Sequence, residues 1–429
     1  MTIAAPNLGY TRKGRSGLVA RYAVWVALAA ALLFLPHIFS SRLALSTMSL
    51  MGTMIVFALS YNMLLGQTGL LSFGHAVFFG LGGFVTVHVL NMASAGGWPV
   101  PLPLYPLVGG LGGLFFGVLF GSIATKRAGT AFAMITLGIG ELVVSSALIL
   151  RRFFGGEEGI TTDRTDVMSF FGYGFGPQIQ VYYLIAAWCF ISIAAMYAIT
   201  CTPFGRISNA VRDNPQRTAF IGYDTSMVRF IAFSLSGLFA GIAGGLSAIN
   251  FEIINAAQMG AVESGSVILM TYIGGVGNFA GPIIGAILIT WLQLMLSDAT
   301  QIWPLYVGLL FIGMVMFAPG GIAGLIAKQQ PLIAAGSLHR VIPYYLLALA
   351  TGAVAVAGIS ILIETSHQFS MRAAYGPELT LYYMRFSAVS PAPWLTGVAL
   401  AVAGGWLFLR ASRLARAAYD EALARGRSA

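Results

Sequence analysis

Asn62, Gln67, Thr68, Ser72 and His75 fall close together inside an apolar stretch, Ser60 to Phe84, that is interrupted by Gly66, Gly69, Gly74, Gly80, Gly82 and Gly83. Amides, hydroxyls and an imidazole can hydrogen-bond a polar solute, or they can satisfy the backbone of a broken helix. Covalent chemistry needs more. The chain has no nucleophile elbow, no Cys–His pairing and no zinc-ligand spacing, so no metal or cofactor is expected. Glu141, in Thr136-Leu-Gly-Ile-Gly-Glu-Leu, and Asn278, between Gly277 and Phe279, are further polar groups in apolar surroundings. A carboxylate at the centre of a membrane span costs about 2.5–3.5 kcal/mol on insertion scales and normally faces a partner or a cavity.

The elements that position these groups follow from composition. Hydrophobic residues make up 58% of 429 and charged residues 9%, against roughly 25% charged in soluble domains. The reading is an all-α, polytopic membrane bundle. A crossing helix needs ~20 apolar residues, and such runs lie near 23–39, 43–65, 70–92, 104–125, 130–150, 181–201, 227–249, 265–297, 303–320, 341–363 and 393–411. The 265–297 run is too long for one span and Gly-broken in its middle, so two short halves are expected there and eleven or twelve spans in all. Lipid excludes unsatisfied backbone. Two Gly-broken segments, 60–84 and 274–285, therefore point to a solute path between discontinuous helices.

The net charge of +9 is distributed as a topology signal. Arg12, Lys13, Arg15, Arg21, Lys126, Arg127, Arg206, Arg212, Arg217, Arg229, Lys328, Arg340, Arg410, Arg413, Arg416, Arg425 and Arg427 fall on one side. Arg42, Arg151, Arg152, Arg164, Arg372 and Arg385 fall on the other, with most of the acids. That is the positive-inside pattern; it places both termini in the cytoplasm and gives no reason to invoke nucleic acid. No cleavable leader is expected at the N-terminus. Cys189 and Cys201, ~18 Å apart along one helix, cannot pair.

Residues 1–42 read as a cytoplasmic N-terminus with the first span, 43–327 as one membrane unit, and 328–429 as a two-span extension. Its basic tail is expected to leave the membrane along the cytoplasmic face. The longest external loop, 151–180, carries Gly155-Gly156 and charged pairs, as a turn-rich cap would.

The three lysines follow Arg12, Thr125 and Ala327, so no Gly-Lys-Ser/Thr phosphate loop exists and the chain has no such site for hydrolysing ATP. The cytoplasmic loop 203–224 shows helix-like spacing from Gly205 to Asp213, a break at Asn214-Pro215, and a second short helix closing at Gly222. Two short helices make a knob suited to a cleft on a soluble partner; an ordinary basic connector is the plainer reading.

Three segments then carry a resemblance: Asn62-Met-Leu-Leu-Gly-Gln-Thr-Gly-Leu-Leu-Ser-Phe-Gly-His-Ala, Phe132-Ala-Met-Ile-Thr-Leu-Gly, and Thr202-Pro-Phe-Gly-Arg-Ile-Ser-Asn-Ala-Val-Arg-Asp-Asn. With Ala232 to Leu246, Gly274 to Ala286 and Phe317 to Leu325 in the same order, the chain resembles branched-chain amino acid ABC transporter permeases of the LivM-like kind over 43–327. The resemblance implies an inner-membrane importer of branched-chain or related amino acids or amides. Its other parts would be a second, LivH-like permease, two ABC ATPase subunits and a periplasmic binding protein. It also implies that 203–224 is the coupling loop to the ATPase, with Gly205, Arg206, Arg212, Asp213, Asn214 and Gly222 as its candidate residues. Related permeases carry Glu-Ala-Ala there, where this chain has Gln216-Arg-Thr-Ala.

Asn62, Gln67, Ser72, His75, Glu141 and Asn278 are the candidate lining of the path. Each has an alternative: helix-break capping for Asn62, Gln67, Ser72 and Asn278, packing for His75, and a helix–helix hydrogen bond for Glu141. Met134, Met259 and Met270 read as packing. An ion-coupled secondary transporter is the rival function, weakened because Glu141 is the one acid placed mid-membrane.

Overall fold

The computed structural model describes residues 15–96, 100–165, 174–334, 336–372, 376, 378–381 and 384–428. Arg12, Lys13 and the centre of the 151–180 loop, at 166–173, lie outside the described residues. Sixteen helices follow in order among them: α1 Arg15–Ile38, α2 Arg42–Thr68, α3 Ala76–Ser94, α4 Tyr105–Ala124, α5 Thr130–Ile149, α6 Arg151–Phe154, α7 Gln178–Cys201, α8 Pro203–Asp213, α9 Pro215–Phe220, α10 Thr225–Phe251, α11 Ala261–Gly274, α12 Gly281–Ala299, α13 Trp303–Phe317, α14 Gly321–Ala334, α15 Leu338–Ser370 and α16 Pro391–Ser428. Among the described residues strand is confined to two short antiparallel pairings. Ile160–Thr161 (β1) pairs with Ile253–Ile254 (β2), and Glu378–Leu381 (β3) with Met384–Ser387 (β4).

Nine helices among the described residues are long and apolar enough to cross a membrane. The bent pair Trp303–Phe317 and Gly321–Ile333 makes a tenth, and Ala23–Ile38 and Ala261–Gly274 are shorter apolar helices. The long 265–297 run does divide: α11 ends at Gly274 and α12 starts at Gly281. At 1.5 Å per residue α11 covers only ~21 Å, short of a ~30 Å core. The stretch 252–260 before it holds β2 and a 3-10 turn at Ala256–Met259.

Chain contacts divide the protein into Met1–Leu325 and Ile326–Ala429. In the first unit α10 is the mast. Its most apolar stretch is 78% buried against 33% for α5, and it packs on α2, α3 and α4. The reason is glycine. Gly237 and Gly241 on α10 face Gly109, Gly113 and Gly117 on α4, with Gly82 of α3 beside them. Small residues four apart let helix backbones touch in a membrane, where van der Waals packing replaces the hydrophobic drive.

In the second unit α15 and α16 run antiparallel. Added Cβ atoms at Gly358 and Gly404 would lie 2.3 Å from the Ala401 nitrogen and 2.5 Å from the Ala355 nitrogen. The polar loop expected between them contains the β3–β4 hairpin. The tail is continuous with the last apolar helix. α16 continues without interruption for 38 residues, ~57 Å, which is nearly twice the hydrocarbon thickness. Its C-terminal part packs Tyr419 and Ala422 against Leu332, Val341 and Tyr345.

Candidate functional site

The break after α2 is closed by its own glycine. Gly69 lies at φ +70° and its N–H reaches the Leu65 carbonyl at 3.0 Å, while the Leu70 N–H reaches Leu64 at 3.3 Å. Only glycine enters this left-handed region without penalty. Three backbone groups between 70 and 76 then take side-chain partners from α2, α5 and α11. The Tyr61 hydroxyl donates to the Ser72 carbonyl at 3.2 Å, the Phe73 N–H to Thr136 Oγ1 at 3.3 Å, and the Ala76 N–H to Ser264 Oγ at 3.1 Å. Asn62, Gln67 and Ser72 are candidates from the sequence either for this capping or for the solute path. Their side-chain oxygens instead have no hydrogen-bond partner among the described residues. Tyr61, Thr136 and Ser264 do the work, and nothing in their local sequence distinguishes them.

His75 is fully buried. Its Nε2 lies 2.9 Å from Ser60 Oγ, and its ring stacks on Phe57 and meets Tyr61 and Phe78 edge-on. Asn62 and Ser72 are buried too, 2% and 0% exposed. These three side chains therefore sit between helices in this conformation. Asn278 is exposed in the turn between α11 and α12, where its backbone carbonyl accepts from the Gly281 N–H at 3.1 Å.

A second discontinuity, which sequence reading passed over as a connection, lies at 252–260. Glu252 ends α10 at φ +57°, and the chain then runs extended along α3. Gly80 and Gly83 make the room: added Cβ atoms would lie 2.0 Å from Met259 Cγ and 2.6 Å from Ile254 Cδ1. Met259 is buried, as is Met270. Gly74 serves the first break in the same way, its Cβ position 2.1 Å from the Thr136 carbonyl oxygen of α5. The two irregular segments thus meet around α3, α5 and α11, which satisfies the rule that non-helical backbone survives at membrane depth only inside protein. Asn255 and Gln258 in the second segment, each with an unpartnered buried oxygen, were the available signal.

Arg164 locks this end of the bundle. Its Nε donates to the Phe175 carbonyl at 3.0 Å and its Nη1 to the carbonyls of Ile249 and Asn250, both at 3.2 Å. Its backbone N–H donates to Glu252 Oε1 at 3.1 Å. A cation on the last carbonyls of α10 complements the helix dipole. The loop expected as a cap is therefore strapped to the end of α10 by Arg164 and to β2 by the β1 pairing.

Glu141 is placed differently from the expected helix–helix bond. α5 buries Phe132, Ala133, Thr136, Gly140, Val143 and Ala147, one helical face. Glu141 is on the other face, exposed with Gly138, Leu142 and Ser145. An added Cβ at Gly138 meets nothing within 4 Å. Met134, read as packing, is 67% exposed. Glu141 has no hydrogen bond or ion pair among the described residues. The insertion cost of a carboxylate sets this face apart from ordinary lipid-facing helix. A groove of about 710 Å³ elsewhere, lined by Pro103, Ile179, Leu184, Trp188 and Ile191, carries no charged residue and is unsuited to a zwitterion.

The 203–224 loop forms the two short helices expected of it. Thr202 Oγ1 accepts from the Gly205 N–H at 3.4 Å and opens α8; Asn214 Oδ1 accepts from the Arg217 N–H at 2.9 Å and opens α9; Gly222, at φ +95°, ends it. Pro203 and Pro215 stand at first-turn positions where no N–H is needed. The tip presents apolar side chains to solvent: Phe220 is 91% exposed and Ile221 68%. Arg206, Asp213 and Asn214 are exposed, and Gly205 is buried against Thr200. Arg212 turns inward, its Nη1 donating to the Gly66 carbonyl of α2 and its Nε to Asp213 Oδ1 at 3.0 Å.

Residues 43–319 match the family model described as branched-chain amino acid transport system / permease component. The chain is similar to the high-affinity branched-chain amino acid transport system permease protein LivM of Escherichia coli (strain K12), 27% identical over 65% of this chain and 69% of the relative. The LivM of Salmonella typhimurium is 25% identical over the same shares. The autoinducer 2 import system permease protein LsrC of Yersinia pseudotuberculosis is 30% identical over 29% of this chain and 38% of its own length. No solved structure matches significantly.

Proposed function

The chain belongs to the branched-chain amino acid transport permease family, and on that premise we propose that it forms half of the membrane channel of an ATP-driven importer of branched-chain amino acids. It is a multi-pass inner-membrane permease component, not an enzyme. In this reading both termini are cytoplasmic, one of the two ABC ATPase subunits docks on the 203–224 loop, and a second, LivH-like permease covers the exposed α5 face. A periplasmic binding protein delivers the solute.

The observation that carries the reading is the knob made by α8 and α9. Phe220 and Ile221 stand in solvent at its tip while α8 rests on α2, α7 and α10. An apolar tip on a basic loop suits a cleft on a soluble subunit, and a rigid base suits transmission of a push. The α5 face supports the second half of the reading. A solute path there gives Glu141 the hydrated or partnered surroundings that a carboxylate needs. Buried Asn62, Ser72 and His75, with half-buried Gln67, then tune how α2 and α3 move, and Asn278 sits at the turn between α11 and α12.

Substrate class is tested by competition. In vesicles holding the assembled transporter, excess leucine, isoleucine or valine should suppress labelled leucine uptake more than tenfold, while glutamate, an aliphatic amide and urea should not. Equal suppression by urea or the amide would overturn the assignment to branched-chain amino acids.

A further inference from the structure

We propose that Arg212 is the strut that carries movement of the 203–224 loop into the broken end of α2, and so is a positioning residue of the transport cycle. This rests on the coupling reading above and adds the route by which motion enters the membrane.

The geometry is specific. A helix leaves its last four carbonyls without partners inside the helix. At the end of α2 the N–H groups of Gly69 and Leu70 close back on Leu65 and Leu64, which leaves the Gly66 carbonyl for the Arg212 guanidinium. The arginine stem packs as closely as its head. An added Cβ on Gly69 would lie 3.0 Å from Arg212 Cγ, at a residue already held at φ +70°. Gly66 also faces the other way: its Cβ position is 3.0 Å from the Val276 carbonyl oxygen, in the turn between α11 and α12. One side chain of the loop thus grips the point where α2 breaks and where the second Gly-rich turn abuts it.

The chemistry suits arginine. The planar guanidinium donates at once to the Gly66 carbonyl and to Asp213 Oδ1, a fork that a lysine ammonium does not reproduce. The Arg212 side chain is 36% exposed and that of Asp213 68%. Such an exposed pair contributes little to stability, so the arrangement is better understood as a mechanical link than as a fold determinant. Movement of α8 pulls on Gly66, and the break at 69–75 yields because it is not helical.

The test uses the whole transporter in detergent, with Cys201→Ser to remove the exposed thiol. Phe73→Cys serves as a reporter, since Phe73 lies in the break and is 38% exposed. With Arg212 present, the maleimide labelling rate at the reporter should change at least fivefold between nucleotide-free and ATP–vanadate states. With Arg212→Gln the ATPase should still co-purify, but the rate should change less than twofold; Arg212→Lys should recover less than half of the response. A full response in Arg212→Gln overturns the strut. Loss of the ATPase from Arg212→Gln overturns it too, making Arg212 a docking contact. If the chain with Arg212 binds the ATPase but shows no nucleotide response, transmission to the break is wrong while docking stands. If that chain binds no ATPase, the coupling reading itself has failed.

Discussion

Phe220→Asp combined with Ile221→Asp abolishes retention of the ATPase subunits and, with it, ATP-driven uptake, while leaving the permease folded. Both side chains are largely in solvent, and neither belongs to the core of the bundle, so their loss costs the fold little. At an interface the account changes. Burying a Phe or Ile side chain fully contributes ~1.5–3 kcal/mol, so losing two removes ~3–6 kcal/mol, about 10²–10⁴-fold in affinity. Two carboxylates forced into an apolar cleft add a desolvation penalty. Titration of purified ATPase onto immobilised permease measures the change. Affinity within threefold of the unsubstituted chain would remove the knob from the interface.

Gly241→Val has the opposite signature: the permease does not fold, whatever its partners. An added Cβ there lies 2.3 Å from the Gly109 carbonyl oxygen and 2.9 Å from the Gly113 Cα. Ordinary overpacking costs ~1–3 kcal/mol because side chains shift. Here the atoms in the way are backbone, so α4 must move away from α10 along its length and the Gly82 contact with α3 goes with it. The expected result is loss of the monodisperse peak in detergent size-exclusion chromatography and a fall of more than tenfold in membrane yield. Gly405→Val, at a position with nothing within 4 Å of the added carbon, is the control and should match the unsubstituted protein. A folded Gly241→Val with normal yield would mean that α4 and α10 are not packed backbone to backbone.

The parts of this molecule legible in its sequence are those encoded locally. Gly69 marks the end of α2, Asn214-Pro215 divides α8 from α9, and Gly222 stops α9, because a positive φ or a missing N–H leaves a trace at a single position. The apolar runs located the spans for the same reason. What escaped local reading depends on distant partners. The donors and acceptors that close the first break, Thr136 and Ser264, lie 63 and 188 residues from the groups they serve. Gly80 and Gly83 read as helix breakers, yet α3 runs through both; their purpose is to admit Ile254 and Met259 against its surface. The 252–260 segment looks like any connection until it is seen packed along α3. Glu141 was found by its charge, but its direction was not, since Gly138 and Gly140 offer equal room and only the fold shows that Gly140 packs near Gly74 while Gly138 faces nothing.

The fold also separates two kinds of polar residue that composition cannot. Buried groups such as His75 and Ser60 hydrogen-bond one another and tie α2 to the break. Glu141 does neither, and its exposure on α5 is what supports the proposal of a path or a partner at that face. Burial distinguishes them more sharply than residue type.

The central claim is that transport through this chain is driven by ATP hydrolysed elsewhere. Its most direct test compares labelled leucine uptake into two sets of proteoliposomes. One holds this chain alone under an imposed proton or sodium gradient. The other holds it with its partner permease and ATPases, with binding protein added outside and ATP enclosed. Uptake only in the second set, and only with hydrolysable ATP, is the predicted result. Gradient-driven uptake by the chain alone would contradict it.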